Sequence, residues 1–216
     1  MCTNMQNETI KLDLDWENAE IKKLMKTTLP DPELLSFYNQ FSKREIFING
    51  FIEEYVADYA KNIFDWNFED KDIPIEQRKK IKIFLHTDGG DVSSMNAIIA
   101  SIMLSKTPVV TIAMGKIFSA GAMIFIAANE RLLLPTSRVM IHKGSSGIIS
   151  DVNKIIDYSK FLEKDNELTK KFILERTNIT AKKYKEVEDK DWYLMPQECV
   201  DLGIATKIVE NIEELF

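Results

Sequence analysis

Apolar residues in this chain follow two spacings. Short β-branched and aromatic runs with the look of strands occupy residues 44–50 (REIFING), 81–85 (IKIFL) and 109–114 (VVTIAM), the first closed by Asn-Gly and the third by Gly115. Between them, apolar residues recur every three or four positions, as on one face of a helix. Residues 53–66 place Tyr55, Val56, Tyr59, Ile63 and Phe64 on one side, and Val92–Leu104 turns Met95, Ile98, Ile99, Ile102 and Met103 inward. Residues 120–128 are apolar all round, which predicts a helix buried on every face. Two short strands follow, 131–135 and 137–141, on either side of a Pro-Thr turn. Residues 151–176 predict a long helix with Val152, Ile155, Ile156, Phe161, Leu162, Leu168 and Phe172 as its stripe. Thr180 caps a further helix, Ala181–Val187. An extended piece Trp192–Leu194, a helix at 196–202 stopped by Gly203, and a short strand at 204–209 complete the chain.

The first 43 residues are polar and mixed. Leu12, Leu14 and Trp16 alternate weakly, Pro30-Asp31-Pro32 breaks the chain, and Leu34, Leu35, Tyr38 and Phe41 have helical spacing. Residues 1–43 therefore read as an arm with one short helix, and 44–216 as the folded domain. The domain's alternation of strand and helix predicts an α/β fold on a parallel sheet, in which ligands gather at the carboxyl ends of the strands. Three loops leave such ends, at 87–91, 115–119 and 142–147, and all fall on one rim.

Composition narrows the functional classes. The 216 residues are 45% hydrophobic and 29% charged, which suits one domain with a sizeable core, and the net charge of −6 has no basic block for nucleic acid. The N-terminal stretch has neither the basic nor the apolar region of a signal peptide, and no apolar run reaches membrane-spanning length, so a soluble, cytoplasmic protein is expected. Cys2 and Cys199 lie at opposite ends, with no disulfide framework, and Cys199 reads as a small core residue. No metal constellation is visible and no cofactor is expected.

Ser119 stands where a strand hands over to the apolar helix. It has two readings: an N-cap whose hydroxyl accepts backbone N–H groups, or a nucleophile on a tight turn with small neighbours. A nucleophilic serine needs a base, and only His86 and His142 exist, each at a strand end; His142 is favoured because a Gly/Ser-rich loop follows it. Gly89-Gly90 either makes a turn or lets backbone N–H groups approach a developing oxyanion. Flanking Asp88 and Asp91 argue against a phosphate cradle. The acid stays open among Glu186, Glu188, Asp189, Asp191 and Asp201; Asp191 differs in meeting the apolar Trp192-Tyr193-Leu194.

Five segments in order carry a family resemblance: REIFING (44–50), TDGGDV (87–92), GKIFSAGA (115–122), LLLPTSRVMIH (132–142) and DWYL (191–194). From Arg44 to about Val209 the chain resembles the ClpP family, the proteolytic subunits of the Clp protease. The resemblance implies a crotonase-like fold of repeated β-β-α units with a protruding long helix. It implies a Ser119–His142–Asp191 triad, with the N–H groups of Gly90 and Ala120 as oxyanion hole. Gly89, Ile117, Phe118 and Lys143 are expected beside the substrate; Lys116, Ile117 and Phe118 are bulkier than this turn carries in the family. The implied activity is serine endopeptidase, acting on unfolded proteins or peptides in protein quality control. The implied partners are further copies of the chain, in two stacked heptameric rings, and an AAA+ unfoldase ATPase. The alternatives are a non-catalytic or regulatory ring subunit, or an acyl-CoA enzyme on the same fold.

Overall fold

A computed structural model describes residues 32–144 and 147–215. The alternation at Leu12, Leu14 and Trp16, most of the expected arm, Cys2, Ser145 and Ser146 lie outside the described residues. The chain divides into two units, Met1–Gln40 and Phe41–Phe216. Helix α1 (Pro32–Lys43) contains the predicted helical spacing and exposes Leu35, Phe37 and Tyr38.

The larger unit is built on a seven-stranded sheet. Its strands are β1 (Glu45–Asn49), β2 (Ile81–Thr87), β3 (Val109–Phe118), β4 (Glu130–Leu133), β5 (Arg138–Ile141), β6 (Trp192–Leu194) and β7 (Lys207–Ile208). The order is β1-β2-β3-β4-β7, with β5 branching from β3 and β6 from β5. Every pairing is parallel except β5 with β6. The helices are α2 (Asp58–Glu69), α3 (Val92–Leu104), α4 (Ala120–Ala127), α5 (Val152–Arg176), α6 (Ala181–Val187) and α7 (Pro196–Asp201).

Helix α4 is the centre of the core. All eight of its residues are buried, and each fully buried Ile or Phe contributes about 1.5–3 kcal/mol. A helix buried to its end must find partners for its last carbonyls. Two guanidiniums supply them: Arg131 donates to the carbonyls of Ile126 and Ala128, and Arg176 to that of Ala127 at 2.6 Å. Burial lowers the pKa of both arginines, and the negative end of the helix dipole favours their charge. The core helix is thereby fixed at its C-terminus, and its N-terminus, at Ser119, is held in place.

Four expectations change. Strand β3 does not end at Gly115 but runs to Phe118. Opposite it, Leu85 pairs with Ala113 and Thr87 with Ile117, so β3 bulges around His86. A side chain at Gly115 would strike the His86 ring, its Cβ 2.9 Å from Cε1. The glycine makes room for a ring; it does not stop a strand. Second, residues 54–57 form a 3-10 turn before α2, and the tighter winding changes which face is buried. Val56, Ala60, Ile63 and Trp66 go inward, while Tyr55 and Phe64 are exposed. Third, Met103 on α3 is exposed. Fourth, α5 buries only Ile173, and Val152, Ile155, Ile156, Phe161 and Leu168 all face outward. Among the described residues no helix is long and apolar enough to cross a membrane.

Candidate active site

Register in three neighbouring strands brings the three predicted residues together. The end of β3 pairs with β5 so that Phe118 faces Met140, and the Ser119 N–H donates to the Met140 carbonyl at 2.9 Å. Strand β5 pairs with β6 so that Ile141 faces Trp192, which sets His142 beside Asp191. A one-residue slip in either ladder would turn the side chains to the opposite face. In the observed register Ser119 Oγ lies 2.8 Å from His142 Nε2, and His142 Nδ1 lies 3.1 Å from Asp191 Oδ1.

The N-cap reading of Ser119 fails on geometry. Ser119 occupies the cap position of α4, yet its side chain makes no cap hydrogen bond. Its backbone has φ 53° and ψ −120°, in the region L-residues avoid. Such strain, of order 1–3 kcal/mol, persists only where surrounding structure enforces it. Here the Met140 hydrogen bond and the buried first turn of α4 do so, and the hydroxyl is turned towards His142.

The glycine pair sits directly against this turn. A methyl at Gly89 would meet Ser119 Cβ at 2.8 Å and the Phe118 carbonyl oxygen at 2.9 Å, so only glycine fits. The Gly89 N–H donates to the buried Thr87 Oγ1 at 2.9 Å, and the Thr87 methyl packs where a side chain on Gly121 would stand. Thr87 therefore locks the loop to the start of α4, a contact that its place at the head of TDGGDV did not disclose. Gly90 forms a parallel bridge with Ile52 in which Ile52 N–H donates to the Gly89 carbonyl and Asp91 N–H to the Ile52 carbonyl. Bonding of both neighbours to one side directs the Gly90 N–H to the other. The Ala120 N–H is the first of α4 and has no intrahelical acceptor. Asp91 then caps α3, accepting from the N–H and hydroxyl of Ser94, which holds its carboxyl below the usual range.

The residues expected beside the substrate are distributed differently. Ile117 is fully buried in the core, which corrects the expectation of a side-chain contact there: alternation along β3 turns it inward. Phe118 is half-buried, edge-on to Tyr193 with ring centres 5.7 Å apart. Lys143 Nζ lies 2.8 Å from Asp189 and 4.0 Å from Glu188, and the hydrogen bond to Asp189 raises its pKa. It thus ties the strand end carrying His142 to the segment leading into Asp191. His86, the other candidate base, packs on Gly115 in the β3 bulge. Cys199 is buried, which pushes its thiol up to about 12 and leaves it protonated.

The Clp protease family profile matches residues 33–212. Proteolytic subunit 2 of the ATP-dependent Clp protease from Treponema denticola is 35% identical over 139 residues, 63% of this chain and 70% of that protein. The subunit 2 of Treponema pallidum is 29% identical over 83% of this chain and 89% of its own length. Subunit 3 from Rhizobium meliloti is 30% identical over 82% and 89%. Among solved structures, an N165D mutant of ClpP1 from Listeria monocytogenes superposes with a TM-score of 0.70 at 27% identity, over 83% of this chain and 98% of that one. The α/β architecture described above is accordingly the ClpP fold. The profile spans all five sequence motifs, and the relatives and the solved structure point to the same family: this chain belongs to the Clp protease family.

Proposed function

We propose that this member of the family is a serine endopeptidase using Ser119, His142 and Asp191. The observation that carries the reading is the continuous hydrogen-bond line from Ser119 Oγ through His142 to Asp191, at 2.8 and 3.1 Å. Asp191 accepts from Nδ1–H, which fixes the tautomer that leaves Nε2 free to receive the serine proton. As Ser119 Oγ bonds to the scissile carbonyl carbon, its proton passes to Nε2 and negative charge gathers on the carbonyl oxygen. The N–H groups of Gly90 and Ala120 are the donors for that charge, since among the described residues neither has a backbone acceptor. His142 then returns the proton to the leaving amine, and water repeats the sequence on the acyl-serine.

Assembly is part of the proposal. The outward apolar row on α5 formed by Val152, Ile155, Ile156 and Phe161 is a surface suited to contact between copies of the chain. Stacked heptameric rings around a chamber, unfolded protein or peptide substrates, a partner AAA+ unfoldase and a cytoplasmic setting follow the family pattern. An acyl-CoA enzyme would have no use for a serine–histidine contact, and a non-catalytic subunit none for the strain held at Ser119.

Treatment of the assembled protein with a fluorophosphonate probe tests the reading. The expected result is one adduct on Ser119 and peptide hydrolysis that disappears in Ser119→Ala. No adduct on Ser119, or undiminished hydrolysis in the variant, overturns it.

A further inference from the structure

The residues expected to touch the substrate leave its side chain without a pocket, since Ile117 is in the core, Phe118 is against Tyr193 and Lys143 is tied to Asp189. A pocket does lie one helical turn behind the rim. Met95 stands one turn along α3, its N–H donating to Asp91 O at 3.1 Å, and Met123 one turn along α4, its N–H donating to Ser119 O at 3.3 Å. Four residues of helix rise about 6 Å, so both methionines sit just behind Gly90 and Ser119. Together with Ile99, Leu168 and Phe172 they line a cavity of about 260 Å3. That is below the roughly 300–1,000 Å3 of small-molecule sites and suits a single side chain.

One charged group stands in this wall, Asp165 of α5, with Asn96 and Thr169 as neutral polar neighbours. Asp165 is half-buried and makes no ion pair or hydrogen bond among the described residues. A carboxylate left without a partner against an apolar surface is costly and invites a cation. Lysine and arginine match such a pocket: their methylene stems lie along apolar surface while the charged end reaches a polar group. Methionine walls adapt to an unbranched stem. Ala120, with its single methyl, is the smallest side chain that could stand next to the nucleophile.

We infer that this pocket receives the side chain of the residue whose carbonyl Ser119 attacks, and that Asp165 selects lysine or arginine there. The inference rests on the peptidase reading above and names its substrate class: proteins and peptides cleaved after basic residues. A carboxylate facing a basic side chain within a specificity pocket is an established means of such selection. It also disfavours acidic residues by like-charge repulsion.

The test uses the full chain in its assembled form and four fluorogenic peptides that differ only in Lys, Arg, Leu or Glu before the scissile bond. In the wild type, kcat/KM for Lys and Arg is expected to exceed that for Glu by about tenfold or more. Asp165→Asn is expected to lower the Lys-to-Leu ratio of kcat/KM about tenfold, mostly through KM on the Lys peptide. Equal cleavage of all four peptides by the wild type, or an unchanged ratio in Asp165→Asn, overturns the inference and leaves the peptidase reading standing. Should the variant not fold, wild-type labelling by lysine-like and leucine-like peptidyl phosphonates makes the same comparison, and lack of preference for the lysine-like probe overturns the inference. A small fluorophosphonate presents no side chain; its failure to label Ser119 removes the peptidase reading itself.

Discussion

The Ser119 amide donates to the Met140 carbonyl at 2.9 Å. Met140 is two residues before His142, so the backbone that strains the serine is the same strand that delivers the histidine. Position and orientation of the two groups are set by one ladder, not by side-chain packing alone.

The strain itself is measurable. Replacing Ser119 by glycine removes the hydroxyl and relieves a φ of 53°. Thermal or urea unfolding of Ser119→Gly is expected to show about 1 kcal/mol more stability than the wild type. Hydrolysis should fall by about a thousandfold or more in the same variant. Ser119→Ala should be equally inactive without the gain, because alanine is not relieved at positive φ.

The glycine pair offers a steric test. Gly89→Ala places a methyl 2.8 Å from Ser119 Cβ and 2.9 Å from the Phe118 carbonyl oxygen, at φ +100°. Overpacking of this kind costs about 1–3 kcal/mol. The shift of the serine turn should lower kcat about a hundredfold, a displacement of about 1 Å being enough. Steady-state kinetics with a small peptide, beside a melting curve, reads both effects.

A buried ion pair sets part of the acid sensitivity. Arg44 donates to both carboxylate oxygens of Asp70, which also accepts from Thr107 Oγ1 at 2.8 Å. The Arg44 hydrogen bond, aided by Thr107 and opposed by burial, holds the Asp70 carboxyl below its usual range. Its stabilisation is therefore present above the unfolded pKa of about 3.9 and lost as pH falls through the folded value. Arg44→Met should cost about 3–5 kcal/mol at pH 7, because it strands a charge on a side chain that is only 2% exposed. In urea titrations at stepped pH, the gap between variant and wild type should narrow towards pH 3. A gap independent of pH would show that Asp70 is not the group responsible.

A thiol reagent gives a further check on the serine reading. Cys199 is buried and its thiol is raised to about 12. Iodoacetamide at pH 8 is expected to leave Cys199 unmodified in the folded protein and peptide hydrolysis undiminished, as read by peptide mapping and by rate.

Much of the site was legible because its residues sit in short motifs at strand ends, where type and position both carry meaning. SAG after a strand, histidine after RVMI and aspartate before WYL remain side by side once the strands pair. What was not legible depended on packing across the sheet. Gly115 looked like a strand terminator, yet it accommodates the His86 ring from a neighbouring strand. Ile117 looked like a cleft residue, yet the alternation of an unexpectedly long β3 turned it inward. The 3-10 turn at 54–57 moved the buried face of α2 towards Ala60 and Trp66. The long helix carries an apolar stripe that its own chain leaves uncovered, which periodicity cannot distinguish from a core-facing one. Thr87 opens TDGGDV, yet its contact with the start of α4 depends on packing that the motif does not disclose, and Asp165 stands in no motif.

The layout of β3, β5 and β6 also bears on timing. During synthesis the serine segment emerges first, the histidine segment some twenty residues later, and the strand preceded by Asp191 only near the end of the chain. Until Trp192–Leu194 has paired with β5, nothing holds an acid against the histidine. A half-made copy, still unfolded and surrounded by other nascent chains, thus lacks the full constellation. On the peptidase reading proposed above, cleavage is in this way withheld while the chain is being made.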